Sequence, residues 1–158
     1  MALSISQKAP DFSLFNSEKQ KVSLSDFIGN KNLLLLFFPL AFTGTCTKEL
    51  CDIRDDIARY NNAHAQVLGI SVDSVFTLAK YKEEQCYNFH LLSDFNKEVS
   101  TAYETIYDSF TEMMMIGVSK RSAFIIDKEG IIQYIEILES ADDLPNFDAI
   151  NLKLESLS

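Results

Sequence analysis

The pattern of hydrophobic and polar positions changes at Pro39. Residues 33–38 form an uninterrupted apolar run, LLLLFF, which is typical of a strand buried on both faces. Pro39 has no backbone N–H to donate, so the strand should end there. The next apolar positions recur at steps of four and three, which predicts one stripe of an amphipathic helix. The positions of this stripe are Cys46, Leu50, Ile53, Ile57 and Tyr60.

Alternating strand and helix patterns continue through the rest of the chain. Residues 66–71 predict a buried strand, and a helical pattern over 77–85 ends at about Cys86. A short strand is expected at 89–92, followed by a helix around 97–104. A last helix, starting at about Asp142 or Pro145 and reaching Leu157, should cover the sheet.

The segment 122–137 has the pattern of a β-hairpin. Strands at 122–126 and 131–137 flank the turn Asp127-Lys128-Glu129-Gly130. The aspartate can accept hydrogen bonds from the turn backbone, and glycine tolerates a positive φ. Alternating elements that end in a hairpin predict an α/β fold, with a mixed central sheet and helices on both faces. We expect residues 1–158 to form a single domain.

Composition excludes several classes of function. The chain has 158 residues, is 47% hydrophobic and carries a net charge of −9, which argues against nucleic acid or an anionic membrane as a partner. Three cysteines are too few for a secreted disulfide framework, and neither a signal peptide nor a membrane-spanning run is evident. These features predict a reducing, cytoplasmic location. His64 and His90 lack neighbours at metal-ligand spacing, so no metal site is predicted.

Cys46 is the candidate nucleophile. Free N–H groups and the positive end of the dipole at a helix start favour a thiolate over a thiol. A buried cysteine that acts only as a small hydrophobe is the competing interpretation. Thr43 either caps the helix or hydrogen-bonds the sulfur and then a substrate oxygen. Glu49, one turn after Cys46, is placed to hold an arginine.

The pattern Pro39-x-x-x-Thr43-x-x-Cys46, followed by Glu49, resembles the active-site motif of the peroxiredoxins. The resemblance extends over nearly the whole chain, and Arg121 stands where that family places its active-site arginine. Within the family, residues 37–44 resemble the alkyl hydroperoxide reductase E type, whereas Cys46 and Cys51 together resemble the bacterioferritin comigratory protein type. Further matching segments are Lys8-Ala9-Pro10-Asp11-Phe12, Val22-Ser23-Leu24-Ser25-Asp26-Phe27 and Leu91-Leu92-Ser93-Asp94.

This resemblance implies a thioredoxin-like fold with an N-terminal β-hairpin and a thiol-dependent peroxidase activity. Cys46 would be the peroxidatic cysteine that attacks hydrogen peroxide, organic hydroperoxides or peroxynitrite and becomes a sulfenic acid. Arg121 would stabilise negative charge, Glu49 would orient Arg121, Thr43 would bind the peroxide and Pro39 would shield the sulfur. No metal or organic cofactor would be needed.

Three routes could recycle the sulfenic acid. Cys51 is the first choice, although on an intact helix its Cα would lie about 8 to 9 Å from that of Cys46. A disulfide usually needs a Cα separation within about 7 Å, so the helix start would have to unwind. We also expect Cys51 to lie off the apolar stripe, accessible to a reductase. An external thiol is the second choice, and Cys86 is the third.

Other readings remain open at the level of sequence. The same sulfenic acid could serve a peroxide sensor or thiol relay that oxidises a client protein, or the chain could be a binding module with inert cysteines. The expected partners of a peroxidase are a thioredoxin, a glutaredoxin-like protein or a low-molecular-weight thiol, and a homodimer is slightly favoured over a monomer. Residues 113–116, MMMI, are expected to pack in the core rather than to line a substrate entrance or an interface.

Overall fold

The computed structural model describes residues 3–157, and its framework is one seven-stranded mixed sheet. The strands are ordered β2-β1-β5-β4-β3-β6-β7, with β3, β4 and β5 parallel and the other pairs antiparallel. The strands are β1 (Ser13–Asn16), β2 (Lys21–Ser23), β3 (Asn32–Phe37), β4 (Ala65–Ser71), β5 (His90–Ser93), β6 (Ser122–Ile126) and β7 (Ile132–Ile137). The antiparallel pair β1 and β2 is the N-terminal hairpin that the family resemblance implied.

Helices cover both faces of this sheet. They are α1 (Gly44–Asp55), α2 (Ile57–Asn62), α3 (Val75–Gln85), α4 (Glu98–Ala102) and α5 (Phe147–Leu157). The final helix begins at Phe147, slightly later than either predicted start. The predicted fold class, a mixed central sheet with helices on both faces, is confirmed.

The apolar run at β3 separates two hydrophobic cores. Because side chains alternate across a strand, Leu34 and Leu36 join the core under α1, α3 and α5, while Leu33 and Leu35 join the core on the α4 side. All four side chains are almost fully buried. A strand buried on both faces needs no polar alternation, which explains the sequence pattern.

The predicted continuous helix after Pro39 is wrong in one respect, because it breaks at Asp56. Asp56 leaves the helical region with φ −113° and ψ 21°, and α2 starts at Ile57. Aspartate competes for backbone hydrogen bonds and is a weak helix former, so it suits a break. Tyr60 is nonetheless buried in the same core as Cys46. The apolar stripe therefore indicates which side of the segment is buried, but it does not show that the helix is continuous.

The hairpin between β6 and β7 has the predicted turn. The Asp127 carboxylate Oδ1 accepts hydrogen bonds from the N–H groups of Glu129, at 2.9 Å, and Ile131, at 3.0 Å. Gly130 has a φ of 83°, a conformation that other residues adopt only with strain.

The prediction that residues 113–116 pack in the core is wrong. Met113, Met114 and Ile116 expose 72%, 74% and 81% of their surface. Met113 and Met114 lie in a tight loop closed by reciprocal backbone hydrogen bonds between Phe110 and Met115, and Ile116 follows that loop. These three apolar side chains therefore face solvent instead of packing against the sheet.

Candidate active site

The sheet register brings the start of β6 beside the start of α1. Phe37 on β3 pairs with Ser122 on β6, so Arg121 lies beside the end of β3. The chain then crosses a short loop and begins α1 at Gly44, which puts Cys46 in the first helical turn. Arg121 and Cys46, which are 75 positions apart in the chain, therefore meet at the end of the sheet where β3 stops.

Arg121 contacts the sulfur of Cys46 directly. Its Nη2 donates to Sγ at 3.0 Å, and both residues are only 1% exposed. A guanidinium at this distance, together with the N-terminal end of α1, stabilises a negative sulfur. The thiolate is the nucleophilic form of cysteine, and this arrangement places a fixed positive charge against the sulfur of Cys46.

Three groups hold the guanidinium of Arg121 in a defined orientation. Nη1 donates to Oε1 of the fully buried Glu49 at 2.8 Å, and Nε donates to the backbone carbonyl of Ala141 at 3.0 Å. The third group is the Cys46 sulfur. Since the guanidinium is planar, these partners fix both its position and its plane.

The charges of this cluster depend on one another. Burial raises the pKa of Glu49 to about 7, although Arg121 pulls it down. Burial by itself would lower the pKa of Arg121, but Glu49 and Cys46 raise it above its ordinary value. Arg121 therefore stays positively charged between its two partners.

Thr43 occupies the N-cap position of α1, but its side chain does not cap the helix. Its hydroxyl donates to the carbonyl of Leu40 at 2.8 Å, and no side-chain capping bond forms. Of the two roles predicted for Thr43, the side-chain cap does not form. With the proton used on Leu40, the lone pairs of Oγ1 are left to accept a hydrogen bond.

The sequence model of the AhpC/TSA family matches residues 5–135, which include the whole of this arrangement except Ala141. The chain belongs to the AhpC/TSA family. Alkyl hydroperoxide reductase E from Mycobacterium tuberculosis is 37% identical to it over 142 residues, which cover 89% of each chain.

Solved structures of other proteins share the fold. The crystal structure of peroxidoxin BcpB from Mycobacterium tuberculosis is 26% identical, with a TM-score of 0.86 and 99% coverage of both chains. A bacterioferritin comigratory protein from Xanthomonas campestris, at 23% identity, shows the fold alone, with a TM-score of 0.80 and coverage of 92% of this chain and 90% of that one. The predicted membership of the peroxiredoxins is confirmed, and with it the class of thiol-dependent peroxidases.

In this AhpC/TSA protein, Cys51 differs from the expectation of an accessible thiol. It is half-buried against the same core as Cys46, and its Sγ lies 3.5 Å from Oε1 of Gln85 and 3.9 Å from the hydroxyl of Tyr87. Gln85, at the end of α3, and Tyr87, two residues later, pack beside α1 and cover this side of the helix. The hydrophobic pattern of α1 cannot reveal that the end of α3 packs beside Cys51.

The helix that carries Cys46 and Cys51 is intact. Their spacing in the regular segment Gly44–Asp55 keeps the Cα atoms about 8 to 9 Å apart, too far for a disulfide. Cys86 is exposed and ends α3 in the left-handed conformation, with φ 54°. All three cysteines are free thiols here.

Sequence reasoning missed Asp73, which braces the loop in front of Cys46. Its Oδ2 accepts hydrogen bonds from the backbone N–H of Ala41 at 2.8 Å and from the hydroxyl of Ser71 at 2.7 Å. Pro39, in the same loop, is buried. A signal was available, because Asp73 follows the carboxyl end of a buried strand, where polar residues of α/β sheets converge on a site.

Within residues 3–157, no group of three histidine, cysteine or acidic side chains is arranged to hold a metal ion. His90 instead lies with its Nδ1 3.5 Å from the amide nitrogen of Asn16. In the same part of the chain, no helix is both long and apolar enough to cross a membrane.

Proposed function

We propose that Cys46 is the peroxidatic cysteine and that this protein reduces hydrogen peroxide, organic hydroperoxides and peroxynitrite. The observation that carries the proposal is the 3.0 Å hydrogen bond from Arg121 to the Cys46 sulfur. The thiolate attacks the terminal peroxide oxygen, an S–O bond forms and the O–O bond breaks. The sulfur loses two electrons and becomes a sulfenic acid, while the leaving oxygen takes a proton and departs as water or an alcohol; with peroxynitrite the leaving group is nitrite.

The neighbouring residues have separate tasks in this step. Arg121 stabilises the negative charge that moves from sulfur to the leaving oxygen, and Glu49 orients Arg121. Thr43 accepts a hydrogen bond from the peroxide O–H, since its own proton is committed to Leu40. Pro39 keeps bulk water away from the sulfur.

Thr43→Val should lower kcat/KM for hydrogen peroxide about tenfold to one hundredfold, because one hydrogen bond to the substrate, about 1.4 to 2.8 kcal/mol, is lost. Thr43→Ser keeps the hydroxyl and should remain within about threefold of the wild type. Stopped-flow kinetics of the first oxidation measures both. A wild-type rate in Thr43→Val would remove Thr43 from the substrate site.

We propose that Cys51 resolves the sulfenic acid after the first turns of α1 unwind. Oxidation with one equivalent of hydrogen peroxide, without added thiol, should then give a mass loss of two hydrogens, mapped to Cys46 and Cys51. Cys51→Ser should stop at the sulfenic acid, a gain of one oxygen. Cys86→Ser is the matched control and should behave like the wild type.

Each alternative has its own signature in the same mass measurement. A disulfide that maps to Cys86 would make Cys86 the resolving residue. One added oxygen on Cys46 in the wild type would mean that an external thiol resolves it. No change at all on treatment with peroxide would contradict the proposed role of Cys46.

The AhpC/TSA family implies peroxide substrates and thiol reductants. Beyond this, we propose a thioredoxin, a glutaredoxin-like protein or a low-molecular-weight thiol as the reductant, a cytoplasmic location and a homodimer. We also propose one domain for residues 1–158, supported by a single sheet that runs between both cores.

A further inference from the structure

One carboxylate oxygen of Glu49, Oε2, takes no part in orienting Arg121. Its carboxylate is fully buried, and while Oε1 contacts Arg121, Oε2 has no hydrogen-bond partner among residues 3–157. An ionised carboxylate oxygen without a donor is costly inside a protein, and a neutral carboxyl group is much less so. The surroundings of Oε2 therefore suit a protonated Glu49 better than an ionised one.

The balance of charge among Glu49, Arg121 and Cys46 also favours a protonated Glu49. Arg121 is the cation that contacts both Glu49 and Cys46, so two buried anions would share one positive charge. Tyr107 lies beside Arg121 and Tyr81 lies near Cys46, and both stay neutral because burial raises their pKa values. When Cys46 is a thiolate, the cluster is electrically balanced only if Glu49 carries a proton.

We propose that Glu49 stores the proton that completes the reduction of the peroxide. Glu49 is a neutral acid while Cys46 is a thiolate, and it releases its proton when Cys46 becomes a neutral sulfenic acid. The leaving alkoxide or hydroxide gains one proton, and Glu49 becomes the anion that pairs with Arg121. The net charge of the three groups is unchanged. When a thiol reductant restores the thiolate, Glu49 takes a proton again.

The titration of Glu49 makes this exchange feasible near neutral pH. Burial raises the pKa of Glu49 to about 7, against the opposing effect of Arg121. Below that pH the carboxyl group is largely protonated, and its proton is available to the leaving group. Well above it, Glu49 is ionised in both states, and the leaving group must take its proton from solvent.

The inference rests on the proposed function, and proton uptake during one turnover tests it. Reduced protein receives one equivalent of hydrogen peroxide in weak buffer with a pH indicator. Glu49→Gln should take up about one proton for each Cys46 oxidised, because every proton then comes from solvent. At the same pH, somewhat below 7, the wild type should take up less than half as much. Disulfide formation between a sulfenic acid and a thiol releases only water, so it leaves this count unchanged.

Glu83→Gln is the matched control, since Glu83 is an exposed residue of α3 that pairs only loosely with Lys80. It should give the wild-type proton count. Equal uptake by the wild type and Glu49→Gln would overturn the proposal. If the wild type forms no oxidised Cys46 at all, the proposed function fails instead, so the two failures are distinguishable.

Infrared difference spectroscopy keeps the test independent of the activity of Glu49→Gln. Oxidation of the wild type should remove the C=O stretch of one protonated carboxyl group, and this band should be missing from the variant. In Cys46→Ser, which lacks the thiolate, the same band should disappear at a lower pH than in the reduced wild type. An unchanged carboxyl band on oxidation of the wild type would overturn the proposal.

Discussion

Cys46→Ser is expected to reduce kcat/KM for hydrogen peroxide by a factor of about 10³ or more, the largest effect of any single substitution in this protein. A serine hydroxyl does not ionise beside Arg121 as a thiol does, and oxygen is a far weaker nucleophile toward peroxide. Serine is close to cysteine in size, so this buried position should still pack and the loss should be chemical. Peroxide consumption with dithiothreitol as the reductant measures it.

Cys51→Ser and Cys86→Ser are the matched controls for that experiment. Both retain Cys46 and should keep the rate of the first oxidation, whatever happens to turnover. Full peroxide consumption by Cys46→Ser would contradict the assignment of the nucleophile. Steady turnover of the wild type with a small thiol supports a peroxidase, whereas accumulation of a stable mixed disulfide with a protein would support the relay alternative.

Arg121→Met should lower kcat/KM for hydrogen peroxide about 10²-fold to 10³-fold, about 2.7 to 4 kcal/mol of transition-state stabilisation. The variant loses the donor that contacts the sulfur at 3.0 Å, so the thiolate and the charge that develops on the leaving oxygen are both less stabilised. Stopped-flow oxidation gives the rate, and ultraviolet absorbance of the thiolate gives the ionised fraction of Cys46. A rate within threefold of the wild type would contradict the role.

The same substitution should destabilise the fold by about 3 to 5 kcal/mol at alkaline pH, because it leaves Glu49 buried without its cation. The loss should be smaller under mildly acidic conditions. The folded-state pKa of Glu49 lies above its unfolded value, so the folded protein gains a proton as the pH falls and recovers stability. Urea unfolding at several pH values measures this dependence.

A second substitution separates the structural effect from the chemical one. Arg121→Met combined with Glu49→Gln removes the uncompensated charge, so it should regain most of the stability at alkaline pH but none of the lost rate. Failure to regain stability would mean that the destabilisation comes from lost packing of Arg121 rather than from the Glu49 charge.

Several features of the fold could be predicted because they arise from local chemistry. The apolar run at β3, the stop at Pro39 and the turn at Asp127 and Gly130 each follow from a property of the residues themselves. The break in the helix at Asp56 and the exposure of residues 113–116 could not be predicted in this way. In both cases the hydrophobic pattern was compatible with more than one backbone path, and long-range packing selected among them.

The sequence by itself determined the local order of the candidate catalytic residues: a cysteine at a strand-to-helix junction, preceded by Pro39 and Thr43 and followed by Glu49. Only the tertiary structure decided what those residues do to each other. The contact between Arg121 and Cys46 spans 75 positions and depends on the pairing of β3 with β6. Burial of Glu49 and the packing of Cys51 against the end of α3 depend in the same way on neighbouring elements. Charge coupling and desolvation are properties of neighbours in space, so no local pattern encodes them.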